Sequence, residues 1–219
     1  MTLFDDLKAA NAEHWQAYIH HDFVESLGAG TLPLESFQDY LVQDYLFLVQ
    51  FARAYALSAY KSRSLDEIKL SADGLALILS ETDLHIGLTE RWGIDRVALE
   101  ATEEKMATVA YTRYVLDCGM AGDLLDLEVA LAPCTIGYAE IGSNLVSDYS
   151  PTEGHRYVEW ISEYAGEPFQ QGAQSAIDRL DSLAGEHVSA RRFSELSAIF
   201  AKATRLEADF WQQAMVAAR

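Results

Sequence analysis

The chain has 219 residues, half of them hydrophobic and only four of them proline, with 16 Lys and Arg against 34 Asp and Glu for a formal charge of −18. That is enough apolar sequence for one substantial core, and we expect a single domain over residues 1–219. The acidic surplus argues against nucleic-acid binding and against docking on an anionic membrane, because both need compensating cations.

Hydrophobic spacing is helical nearly throughout. Phe4, Leu7, Trp15, Tyr18 and Ile19 recur at three- and four-residue steps in the first segment. Thr31-Leu32-Pro33 starts a long second helix, with Pro33 expected in its first turn. Its sequence, LESFQDYLVQDYLFLVQFARAYALSAYKS, is apolar on more than one face, so it is expected to be central. A third helix is expected from Ser64 to Trp92, ending at Gly93. A fourth runs from Leu99 to Cys118 and is stopped by Gly119 and Gly122. The fifth covers Asp123 to Ser147, with a proline at position 133 in its interior.

Ser150-Pro151-Thr152 opens a shorter helix that closes at Gly166. Another runs from Pro168 to Gly185, and the last begins near Ser189. Strand alternation, internal repeats and long linkers are not apparent. The expected fold is all-α, a single-domain helical bundle of seven or eight helices.

The two cysteines, Cys118 and Cys134, lie in apolar helical surroundings, which suits a reducing cytosol rather than a disulfide framework. The N-terminal MTLFDDLKAANAEHW is acidic and lacks the apolar core of a signal peptide. No uncharged apolar run reaches the roughly 18 residues of a membrane span. A cytoplasmic protein is expected.

The proline raises the first chemical question. A proline inside a helix costs roughly 3 kcal/mol, and Pro133 leaves the Val129 carbonyl without its usual partner. Cys134 follows directly, and Tyr138 lies four residues on, on the same face. The cysteine reads either as an inert core thiol or as a thiol aimed into a site.

Asp44 is a carboxylate in a very apolar helix, with Phe47, Leu48 and Phe51 on its face. It either bonds a structural Arg, Tyr or Trp, or binds a ligand. Glu207 precedes Phe210 and Trp211 by three and four residues. It is either a surface residue beside Arg205 or a carboxyl in an aromatic pocket with a raised pKa. Tyr111, Tyr114, Tyr138 and Tyr164 fall on core helices, where they either pack or line a pocket for a flat heterocycle.

Glu81 and His85, at i and i+4, could share a ligand. Di-iron bundles repeat a Glu-x-x-His spacing in two helices, and that spacing is not present here. We expect a structural hydrogen bond or an interface contact, and no metal. His14 and the His20-His21 pair, near an N-terminal helix, are weak evidence for a haem site.

These residues resemble the TenA/thiaminase II family, whose all-helical fold is like that of haem oxygenase. The matching pieces are QDYLFL (43–48), AYTRY (110–114), LAPCTIGYAEIG (131–142), EWISEYAGEPF (159–169) and LEADFW (206–211). The P-C-x-x-x-Y element is the most specific.

The resemblance implies Cys134 as nucleophile and Glu207 as acid–base carboxylate. It implies that Asp44 binds the substrate's amino group and ring nitrogen. Tyr111, Tyr138 and Tyr164 would line the site and position Cys134 or the attacking water. Phe47 stands where the family often has tyrosine.

The implied reaction is hydrolysis at the methylene carbon of a 4-amino-2-methylpyrimidine. Aminomethylpyrimidine would give hydroxymethylpyrimidine for thiamine salvage, and thiamine itself would also be cleaved. No cofactor is needed, and a homotetramer is implied. The alternative is a non-catalytic pyrimidine-binding or regulatory member of the same fold.

Overall fold

The computed structural model describes residues 2–91 and 94–217, with eleven helices and no strand among them. In chain order these are α1 (Leu3–Ala10), α2 (Ala12–Ile19), α3 (Asp22–Gly28), α4 (Leu34–Lys61), α5 (Leu65–Glu90), α6 (Arg96–Ala101), α7 (Met106–Ala121), α8 (Leu124–Tyr149), α9 (Val158–Ala165), α10 (Glu167–Ala184) and α11 (Ala190–Ala217). The all-α expectation holds. No helix among the described residues is long and apolar enough to cross a membrane.

The helices outnumber the seven or eight expected because side-chain caps break two segments. Thr2 accepts from Asp5 N–H and closes a capping box on α1. The Asn11 amide then bonds Leu7 O and Ser197 Oγ at the α1–α2 break. His21 Nδ1 accepts Phe23 N–H at 3.1 Å and starts α3.

The second break separates α6 from α7, where one helix from Leu99 was expected. Asp95 caps α6 at Ala98 N–H. Buried Gln43 satisfies the backbone of the following loop. It donates to Glu103 O at 3.1 Å and accepts Lys105 N–H at 2.8 Å.

Most other boundaries fall close to expectation, but α9 begins at Val158 and not at Ser150-Pro151-Thr152, because the intervening residues form turns closed by His155 N–H on Thr152 O and Val158 N–H on His155 O. Pro33 sits just before the first residue of α4 rather than inside it. Ser64 and Glu67 form a capping box on α5. The expected stop of that helix at Trp92 and Gly93 lies outside the described residues. Gly185, at φ +67, ends α10 in a conformation that glycine adopts without strain.

The chain divides into two compact units. The first comprises Met1–Leu32 and Glu128–Trp211. Its core is aromatic: Trp15 stacks on Phe200 with centroids 5.6 Å apart, and Phe23 stacks on Trp211 at 4.8 Å. Within it α1 packs on α10, and α9 on α10. A buried ion pair, Arg179 Nε to Glu128 Oε1 at 2.8 Å, ties α10 to α8.

The second unit comprises Pro33–Leu127 and Gln212–Arg219. Here α4 is the central element, packed against both α5 and α7. Phe47 and Phe51 are buried along one of its faces, with rings 4.9 Å apart.

Candidate active site

Helix α8 carries the proline and the thiol. It runs from Leu124 to Tyr149 with Pro133 inside it. From Leu125 to Ala139 every residue is buried except Cys134, which is partly exposed. One turn of a buried helix therefore brings a single thiol to accessible space.

That turn is held from α2. The Tyr18 hydroxyl donates to the Pro133 carbonyl at 3.2 Å. The approach depends on Gly137, since a Cβ there would lie 2.4 Å from Tyr18 Cε1.

Tyr138, four residues past the thiol, is buried in an aromatic cluster. Its ring centroid lies 4.8 Å from Tyr164, 5.9 Å from Trp160 and 5.2 Å from Trp211. Gly142 admits this arrangement, because a Cβ there would stand 2.6 Å from the backbone of Tyr164 and Ala165. Trp160 and Tyr164 themselves lie 4.4 Å apart on α9.

Glu207 is one turn before Trp211 on α11 and is 1% exposed. Its reading as a surface residue beside Arg205 is therefore corrected. A carboxylate this deep requires polar partners or a proton, which fits an acid–base group better than a solvated one.

The second unit holds the other predicted residues. Phe47 and Tyr111 are buried, with ring centroids 5.1 Å apart. Asp44, one turn before Leu48, is 2% exposed. The Tyr40 hydroxyl donates to Asp44 Oδ2 at 3.2 Å. His85 Nδ1, from α5, lies 2.8 Å from the same oxygen. That contact is within ion-pair distance, though its angle is not that of a straight ring N–H hydrogen bond.

Glu81 is buried beside them. The ligand atoms of Asp44, Glu81 and His85 all lie within 4.8 Å of one another, compact enough for one cation. The Glu81–His85 spacing was visible in the sequence, but its orientation toward Asp44 was not.

Of the seven predicted residues, Cys134, Tyr138, Tyr164 and Glu207 thus lie in the first unit, and Asp44, Phe47 and Tyr111 in the second. Tyr114 instead engages Cys118 one turn along α7. Burial, and then Cys118, push its phenol above the usual tyrosine range. Sequence reasoning missed Tyr18, Tyr40, Trp160 and His85 as neighbours of these groups. Tyr40 left a signal, four residues before Asp44; Tyr18 left none, being distant in sequence from Pro133.

The all-helical chain has a heme-oxygenase-like fold. A Shewanella denitrificans domain described as having that fold superposes with a TM-score of 0.73 at 12% identity, covering 97% of this chain and 92% of the other. The TENA/THI-4/PQQC family model matches residues 8–218, and the chain belongs to this family.

An uncharacterised Haemophilus influenzae protein is 40% identical, covering 92% of this chain and 94% of its own. An aminopyrimidine aminohydrolase of Halalkalibacterium halodurans is 38% identical, covering 91% and 89%. The crystal structure of a Silicibacter protein described as a TenA family transcription regulator superposes with a TM-score of 0.92. It is 42% identical, with 97% and 96% covered.

Proposed function

We propose that this protein hydrolyses 4-amino-2-methylpyrimidines at their methylene carbon, converting aminomethylpyrimidine to hydroxymethylpyrimidine in thiamine salvage and also cleaving thiamine. The observation that carries this reading is Cys134, the one partly exposed residue in an otherwise buried stretch of α8. A structural thiol gains from burial, whereas a nucleophile must be reachable. The aminohydrolase at 38% identity supports the same reaction class.

The chemistry follows from the substrate. A leaving group departs poorly from a methylene on an aromatic ring. The Cys134 thiolate adds to the unsubstituted ring carbon and pushes an electron pair onto ring nitrogen, which Glu207 protonates. Return of that pair, with the ring-nitrogen proton passing back to Glu207, expels the protonated amine as ammonia, or the thiazole. Water, activated by Glu207, then adds to the exocyclic carbon. Loss of the thiolate restores aromaticity.

Asp44 is the acceptor for the amino group, and Phe47, Tyr111 and Tyr164 are proposed as substrate-binding residues. Tyr138 positions the thiol or the water. We further propose a cytoplasmic homotetramer that needs no cofactor, with residues 1–219 acting as one functional domain. Light scattering on the purified protein tests the assembly.

The Silicibacter structure described as a transcription regulator favours one second reading, a pyrimidine-binding regulator. Product formation from aminomethylpyrimidine and thiamine, by wild type and Cys134→Ser, decides between them. Hydrolysis lost at least about a hundredfold in the variant supports the nucleophile. Binding without turnover in the wild type supports the regulator. An active Cys134→Ser overturns the role given to the thiol.

A further inference from the structure

We infer that His85, backed by Glu81, is a positioning residue that holds Asp44 as an acceptor-only carboxylate and so selects a 4-amino over a 4-oxo pyrimidine. This rests on the pyrimidine reading above. The three side chains are buried within one unit, on α4 and α5. His85 Nδ1 and the Tyr40 hydroxyl both approach Asp44 Oδ2, at 2.8 and 3.2 Å. Among the described residues no hydrogen bond falls on Oδ1, which is therefore the oxygen presented to a ligand.

Two carboxylates within 4.8 Å of each other in a buried site repel. An imidazolium between them removes the repulsion and lets both stay ionised. An ionised carboxylate only accepts hydrogen bonds. Oδ1 then pairs with an exocyclic N–H and opposes a ring carbonyl, acceptor against acceptor. Without the cation the repulsion between Asp44 and Glu81 is unrelieved, Oδ1 is no longer held in place as an acceptor, and the selection between the two rings is lost. Selection thus comes from a residue behind the binding carboxylate, which touches no substrate atom itself.

The test is calorimetric binding of 4-amino-2-methylpyrimidine and of its 4-hydroxy (oxo) analogue to wild type, His85→Leu and His85→Asn. Thermal unfolding confirms that each variant is folded. Steady-state kinetics with aminomethylpyrimidine run alongside. We expect His85→Leu to lose at least tenfold of the amino preference, with KM rising more than kcat falls. His85→Asn, which supplies a donor but no charge, should lose the preference nearly as far as His85→Leu, and its recovery to within twofold of wild type would likewise overturn the role given to the cation.

A folded His85→Leu protein that keeps the preference within twofold overturns the inference. So does a stoichiometric metal ion in the purified wild type whose removal abolishes binding, since the trio would then be a metal centre. Wild type that binds the amino ring selectively but turns over nothing overturns the proposed hydrolysis and leaves this inference standing.

Discussion

The Tyr18 hydroxyl donates a 3.2 Å hydrogen bond to the Pro133 carbonyl, the peptide that leads directly into Cys134. The contact joins α2 to α8 over 115 residues of sequence. Tyr18 is itself clamped, edge-on to Trp15 at 5.7 Å and stacked on Trp211 at 6.4 Å. A ring held on two sides cannot yield to a new neighbour.

Gly137→Ala should therefore be expensive. The added Cβ would lie 2.4 Å from Tyr18 Cε1 and 2.8 Å from its hydroxyl oxygen. Overpacking of this kind costs about 1–3 kcal/mol. Tyr18→Phe keeps the ring and loses one hydrogen bond, about 1 kcal/mol. Denaturant unfolding should rank Gly137→Ala as the more damaging, and kcat on aminomethylpyrimidine should fall in the same order. A Gly137→Ala protein with wild-type stability would show that the α2–α8 approach is not tight.

The α8 case also marks how far the sequence could be read. Pro133, Cys134 and Tyr138 are local, so their shared helix face follows from spacing alone. So does the start of α4 beside Pro33. What supports them is not local: Tyr18 comes from α2, and His85 reaches Asp44 from another helix. Their sequence separation hides them, because helical periodicity reports a face and never the partner of that face. The burial of Glu207 was likewise undecided, since Arg205 and Trp211 argue in opposite directions. The breaks at Asn11 and before Lys105 escaped for a different reason. They depend on side chains, Asn11 and Gln43, whose hydrogen bonds to backbone override continuous helical spacing.

The Arg179–Glu128 pair should behave as a buried ion pair. Both side chains are less than a tenth exposed, so neither charge can turn to water. Arg179→Met strands the Glu128 carboxylate and should cost about 3–5 kcal/mol. The double variant Arg179→Met/Glu128→Leu removes both charges and should recover most of that loss. Calorimetric unfolding of the single and double variants measures it. A double variant no better than the single would mean that the arginine acts through packing rather than charge.

A pH signature should arise from Glu25 and Tyr149, which share a hydrogen bond of 2.6 Å. That bond from Tyr149 lowers the Glu25 carboxyl; burial opposes it and His20 adds to it. The same bond, then burial and the Glu25 charge, push the Tyr149 phenol up to about 12. A depressed carboxyl stabilises the fold above its unfolded pKa of about 4.3, and the gain is lost as pH falls below that value. A raised phenol stabilises below its unfolded pKa of about 10, and that gain is lost as pH rises toward 12. The melting temperature of Tyr149→Phe should fall furthest below wild type between about pH 5 and 10. The gap should narrow at both ends. A gap independent of pH would assign the loss to packing. Glu25 is 40% exposed, so the effect should be modest and should shrink in salt.

Phe47 separates binding from chemistry. Its ring is 3% exposed and lies against Tyr111 and Phe51, so Phe47→Ala should cost about 3–5 kcal/mol and obscure any kinetic effect. Phe47→Leu fills most of the volume while removing the π-face. If the ring only stacks on the pyrimidine, it binds ground state and transition state alike. KM for aminomethylpyrimidine should then rise several-fold while kcat changes by less than about twofold. Phe47→Tyr keeps the face, and its KM should stay within about threefold of wild type provided the new hydroxyl finds a partner. Should Phe47→Leu lower kcat with KM unchanged, the ring would be acting in the transition state, and its place would be among the groups that drive the reaction.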